Sequence, residues 1–148
     1  MHRVHHADTA IDLSTGFRSH PGEALLLALA RAAVAIAFGF SVPALMIAET
    51  LAIAFTMWSH ANLRLPDRLD RALRLLLVTP AMHHVHHSAR RAETDSNYGE
   101  VFSLWDRLFG TYRSSNGESL ARTRFGLGDE HDRDAASILR QLTGPLAR

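Results

Sequence analysis

The chain contains no cysteine, and all 16 of its basic residues are arginine, so it also lacks lysine. Without cysteine there are no disulfides, thiolate metal sites, iron–sulfur clusters or cysteine nucleophiles, and the redox compartment is left open. Any metal must be held by nitrogen and oxygen. Net charge is also scarce: 16 basic against 15 acidic side chains leave +1, which argues against a nucleic-acid partner held by a basic surface. Glycine (9) and proline (5) are few and 47% of residues are hydrophobic, which excludes a disordered, collagenous or low-complexity chain. At 148 residues the chain has room for one ordinary folding unit.

What is abundant is apolar sequence and histidine. The first residues, Met1-His2-Arg3-Val4-His5-His6, are polar, so no cleavable signal peptide is expected. Residues 24–58 are almost continuously apolar, interrupted by Arg31, Gly39, Pro43 and Glu49. At ~1.5 Å per residue a single helix of that length would reach roughly 50 Å, well beyond a ~30 Å hydrocarbon core. Division at Gly39–Pro43 instead predicts a helical hairpin with legs near 24–40 and 42–58, each about long enough to cross a membrane. The alternative is a buried hairpin in a soluble helical protein. An ionised group in mid-membrane costs ~2.5–3.5 kcal/mol on insertion scales, so Arg31 and Glu49 are expected to be paired inside the bundle, and can pair with each other.

Beyond the hairpin, Pro66 opens a helix expected over 67–78, with Arg64, Arg68, Arg71 and Arg74 set against Leu69, Leu73, Leu76 and Leu77. That is the pattern of an interfacial amphipathic helix, whose arginines favour the cytoplasmic side, or of a solvated charged helix face. A further short helix is expected over 101–109, with Val101, Leu104, Trp105, Leu108 and Phe109 on one face and Gly110 ending it. The segment 114–134 is polar, and 135–142 can form a last helix. No strand-like alternation is present, so the fold class is all-α.

Ten residues are histidine, and six of them form two H-x-x-H-H clusters: His2, His5 and His6, then His83, His86 and His87. On an α-helix these offsets share a face, so each cluster can direct three imidazoles at one point. Imidazole suits iron, zinc, copper and nickel. A hairpin that crosses twice returns the chain to the side it left, which would bring both clusters to one face of the membrane. His60, just after the second leg, is a further candidate ligand, and His20, just before the first, is either a ligand or a capping residue. His84 and His131 are read as ordinary surface histidines. Seven or eight ligands exceed the four of a tetrahedral site and imply two metals. Asp8, Asp12, Glu23 and Asp95 are candidate acceptors that orient the rings by holding their N–H groups.

Several stretches together resemble the fatty acid hydroxylase and sterol desaturase superfamily: His2-Arg3-Val4-His5-His6, the 15–23 stretch around His20-Pro21-Gly22-Glu23, His60-Ala61-Asn62-Leu63-Arg64-Leu65-Pro66, Pro80-Ala81-Met82-His83-His84-Val85-His86-His87-Ser88, Asn97-Tyr98-Gly99, and Trp105-Asp106-Arg107-Leu108-Phe109-Gly110-Thr111. The match covers about 2–113. The resemblance implies an integral-membrane, multi-pass, all-helical enzyme with a histidine-held di-iron centre on the cytoplasmic side. Such an enzyme uses O2 and electrons from a separate donor protein to hydroxylate or desaturate a fatty acyl or sterol-like lipid. It maps His2, His5 and His6 onto the family's second histidine motif, His83, His86 and His87 onto its third, and His60 onto an intervening ligand. On this reading 1–113 is the C-terminal portion of the catalytic domain and 114–148 a polar tail. The family's earlier H-x-x-x-H motif is missing from this sequence, so truncation is expected. The competing readings are a non-catalytic histidine-rich membrane metal-binding protein and an inactive homologue.

Overall fold

The computed structural model describes residues 1–114, 122–128 and 137–143. Two long helices dominate it, α1 (Pro21–Phe38) and α2 (Val42–His60). Each starts where the local chemistry allows. Pro21 supplies a preset φ at the first position of α1 while His20 Nδ1 accepts from Gly22 N (3.0 Å). At α2, Ser41 accepts from Ala44 N with Pro43 in the first turn. Between them Gly39 takes the left-handed conformation (φ 66°) that ends α1 and lets the chain double back. The expected legs therefore form, displaced toward the metal side by a few residues at their outer ends.

Both helices are long and apolar enough to cross a membrane, and only 6% of either span is buried within the protein. Their leucines, isoleucines and phenylalanines face outward, Ile36 at 82% and Phe38 at 74% exposed. A soluble hairpin would bury one such face against protein, whereas surfaces apolar all round and uncovered by protein suit lipid as the solvent. Arg31 and Glu49 meet across the hairpin at 3.2 Å, the pairing expected of two charges on apolar legs.

The rest is built from short helices: a 3-10 turn His2–Ala7, a second one Thr15–Phe17, α3 (Asp67–Leu73), α4 (Pro80–His86), α5 (Arg91–Thr94), α6 (Leu104–Leu108) and α7 (Ile138–Thr143). Among the described residues there is no strand, only isolated bridges Leu77–Phe102 and Ser88–Phe125, so the all-helical expectation stands. Two helices are shorter than expected. α3 stops at Leu73 because the following residues turn to bond the 101–103 segment, through Val78 N to Val101 O and Ser103 N to Leu76 O. For the same reason α6 starts at Leu104, not at 101. Arg74 leaves the expected exposed basic row: it is 6% exposed and ion-paired with Asp70. Of the last expected helix, 135 and 136 lie outside the described residues, and α7 begins at Ile138.

Packing centres on α4 rather than on the hairpin. Val78, Met82 and Val85 form much of the small apolar core. Trp58 Nε1 donates to Val78 O (2.9 Å), fixing the end of α2 beside the start of α4, and Thr79 caps α4 with Pro80 at its first position. Two buried polar residues clamp the loop that follows. Asn97, at φ 51°, donates to Met82 O and Arg113 O and accepts from Arg113 N. Asp106 accepts from Tyr98 N, Gly99 N and Thr111 Oγ1 at 2.7–2.9 Å. A Cβ on Gly99 would lie 2.6 Å from Phe102 O and 2.9 Å from Asp106 Oδ2, so glycine is required there.

Candidate metal centre

Three elements far apart in sequence deliver imidazoles to one place: the 3-10 turn His2–Ala7, the end of α2, and α4. The first cluster is on a 3-10 turn, not the expected α-helix, and neither cluster aims all three rings at one point. Instead the clusters interleave. His5, His60, His83 and His87 form one group and His2, His6 and His86 another, with the ligand atoms of each group all within 4.8 Å of one another. Helix geometry explains the division within α4, where His83 and His87 are four residues apart and nearly eclipsed, while His86 is rotated about 100° from His87.

The nitrogens are arranged with their lone pairs facing. His60 Nε2 lies 3.2 Å from His5 Nε2 and 3.1 Å from the Nε2 atoms of both His83 and His87, which are themselves 3.1 Å apart. In the other group His6 Nε2 is 3.1 Å from His86 Nε2. The opposite edges of the rings are committed to acceptors. His5 Nδ1 donates to Arg18 O (3.1 Å), His60 Nδ1 to Thr56 O (2.7 Å), His86 Nδ1 to Ser96 O (2.7 Å) and His2 Nδ1 to Glu23 Oε1 (2.7 Å). Thr94 Oγ1 gives its proton to His86 O and is left to accept from His6 Nδ1 at 3.4 Å. Those bonds fix the tautomer and free Nε2 in five of the seven rings. Among the described residues the buried Nδ1 atoms of His83 and His87 have no partner, and these two rings are aimed by the helix.

Burial keeps the rings neutral. It lowers His5 to about 4 and His6 to about 2, with the neighbouring imidazoles adding to the effect, and it moves His83, His86 and His87 down as well. Neutral imidazoles with converging lone pairs repel one another unless a cation lies between them. A cation held ~2.0–2.1 Å from each nitrogen sets neighbouring nitrogens roughly 3 Å apart, so the donor set fits a metal ion in each group.

The remaining candidates separate clearly. Glu23 alone of the four carboxylates reaches a ring. Asp8 is taken by Thr15 Oγ1 (2.8 Å) and Arg18 (3.7 Å), and so acts on His5 only through the segment whose carbonyl that ring uses. The expectation fails for Asp12, which is turned to Ser14 N and Oγ, and for Asp95, which pairs with Arg91 on the surface. His20 is the capping residue rather than a ligand: Nδ1 accepts from Gly22 N and Nε2 donates to Leu142 O (3.0 Å), which uses both nitrogens. His84 is not a surface histidine but 7% exposed, while His131 lies outside the described residues. Sequence reasoning also missed Asn97 and Asp106 as individual residues; the only signal was that both fall in the stretches that carry the resemblance. A cavity of about 550 Å³ leads from His60, His83 and His86 between the hairpin helices, past Leu27 and Ile53, to Arg31 and Glu49.

The class these features define is a protein whose helices are long and apolar enough to cross a membrane, joined to a seven-imidazole cluster that could hold metal ions. The family model "Fatty acid hydroxylase" matches residues 1–111, and the chain belongs to that family. Its relatives include alkylglycerol monooxygenase of Homo sapiens, 31% identical over 78% of this chain and 25% of that protein. The Danio rerio alkylglycerol monooxygenase is 33% identical over 75% of this chain and 24% of its own length. Ornithine lipid hydroxylase OlsE of Rhizobium tropici is 34% identical over 61% of this chain and 25% of its own length. The chain thus spans about a quarter of the length of these curated relatives. No solved structure matches it.

Proposed function

We propose that this chain carries the metal-binding portion of an O2-dependent lipid hydroxylase. In this reading His5, His60, His83 and His87 hold one iron ion and His2, His6 and His86 hold a second. The observation that supports it best is the interleaved convergence of Nε2 atoms whose opposite nitrogens are mostly held by carbonyls or Glu23. An iron pair bound there supplies the activation of O2 that attack on an unactivated C–H bond requires and that side-chain acid–base chemistry cannot provide.

The chain's own residues do the rest. The carbonyls of Thr56, Arg18 and Ser96 hold three rings in the tautomer that presents Nε2, and Glu23 holds His2. The cavity between the hairpin helices offers a lipid chain a route from the bilayer to the imidazoles without crossing water. Both histidine clusters return to one side of the hairpin, and the exposed Arg64, Arg68 and Arg71 beside it favour the cytoplasmic side. Reductant comes from a separate donor protein. Hydroxylation is preferred to desaturation because the relatives are named monooxygenase and hydroxylase, and those names support a substrate akin to an alkylglycerol or an ornithine lipid.

The test is metal content and turnover of the protein purified in lipid nanodiscs. The expected result is iron near two per chain and O2-dependent addition of one oxygen atom to a lipid, lost on His87→Ala. Four nitrogens in one group also suit zinc, so zinc at one per chain without turnover would replace this reading with that of a metal-binding protein.

A further inference from the structure

A second cavity, of about 870 Å³, lies against the face of α4 that carries Ala81 and His84, and is shared with α3 and the loop preceding it. Its charged lining is mostly arginine. Asp70 is occupied by Arg74, and Arg107 lies 3.9 Å over the Tyr112 ring and donates to Arg74 O. Arg64 and Arg71 reach the same cavity, are exposed, and have neither an ion pair nor a hydrogen bond among the described residues, leaving only Asp67 to offset them. His84 is 7% exposed on the wall of this cavity. It hydrogen-bonds the backbone of His60, and its Nε2 is buried with no partner among the described residues. With Nδ1 donating to that carbonyl, Nε2 is an acceptor awaiting a proton donor, and a buried acceptor without one is costly.

The site thus asks for a ligand with anionic oxygens for two arginines and one hydroxyl for an imidazole. We propose that this cavity binds a phosphate monoester group, with its anionic oxygens toward Arg64 and Arg71 and its P–OH donating to His84 Nε2. A monoester carries about −1.5 to −2 charge at pH 7 and retains a proton part of the time, whereas a phosphodiester or sulfate has none to donate. Leu63, Leu65 and Leu75 complete the wall, so the group can arrive on a lipid or as a soluble phosphate. The site does not depend on the metals or on the proposed reaction.

The experiment measures binding to the protein in phosphatidylcholine nanodiscs by 31P line broadening and thermal shift. Inorganic phosphate is compared with sulfate, and phosphatidic acid doped into the disc with phosphatidylglycerol. The proposal expects phosphate or phosphatidic acid to bind about tenfold or more tightly than sulfate or phosphatidylglycerol. It also expects Arg64→Gln with Arg71→Gln to remove that preference while metal content stays unchanged. Binding of phosphatidic acid alone identifies a lipid headgroup, and binding of inorganic phosphate alone a soluble ligand. Absence of binding, equal binding of sulfate and the diester lipid, or full binding by the double variant overturns it. Because the comparison of monoester with diester is made on the unaltered protein, the test survives a variant that fails to fold.

Discussion

Five rings in the metal centre are held at Nδ1 and two are not, and that difference carries consequences residue by residue. Removing His5, His60, His83 or His87 as alanine is expected to lower bound metal from about two ions to about one, as is removing His6 or His86 from the other group. Metal analysis of the purified variants checks this, and equal loss of both ions from every variant would mean the groups are not separate. Acid acts on the same rings. Because burial lowers His5 to about 4 and moves His83, His86 and His87 down too, the folded state excludes protons that the unfolded chain takes up below about 6.5. The metal-free protein should therefore lose stability as pH falls from about 6.5 toward 4, with no comparable change above 7. Thermal melts across that range test the sign. Asp106, 1% exposed and accepting three hydrogen bonds, holds the loop that leads to the Ser96 carbonyl under His86. Asp106→Ala is expected to cost about 3 kcal/mol or more, since two backbone N–H groups and the Thr111 hydroxyl lose their acceptor at about 1–3 kcal/mol each, and to weaken the metal group that contains His86.

At the scale of elements, the hairpin brings together what the sequence separates. Its two charges test whether lipid is its solvent. In a membrane, Arg31→Leu leaves Glu49 without its partner, and Arg31→Leu combined with Glu49→Leu should insert more favourably than the single change by roughly 2.5–3.5 kcal/mol. In water the double change would instead promote aggregation and rescue nothing. Protease protection or glycosylation mapping of membrane-inserted variants distinguishes the cases. The hairpin legs were legible because apolar runs with proline and glycine at the turn have few alternatives. α3 and α6 were not, since their ends are set by hydrogen bonds to each other: Val78 to Val101, and Ser103 to Leu76 and Arg74. Local propensity extends a helix until something outside it competes for the backbone, and that competitor lies about 25 residues away in sequence.

For the molecule as a whole, metal is expected to stabilise the fold as well as serve chemistry. The centre ties the N-terminal turn, α2 and α4 together, while the apolar core around Val78 and Met82 is small. Chelation should lower the melting temperature, and readdition of the metal should restore it, rising with the logarithm of its concentration over Kd. A melt unchanged by chelator would show that these elements hold together without ions. His5 and His86 belonging to different groups, His20 serving as a cap and His84 being buried are all decided at this scale.

Residue types and spacing alone determined that the chain would be helical, that a doubled-back apolar segment would flank a polar half, and that imidazole rather than thiolate would be the candidate donor for any metal. Those are properties of composition and local periodicity, which a single strand of sequence carries in full. Which ring joins which ion, which carboxylate reaches a ring and which histidine is spent on a helix end depend on where separate segments come to rest against one another. A nitrogen's role follows from the partner on its far side, and for His5, His86 and His20 that partner is 13, 10 and 122 residues away.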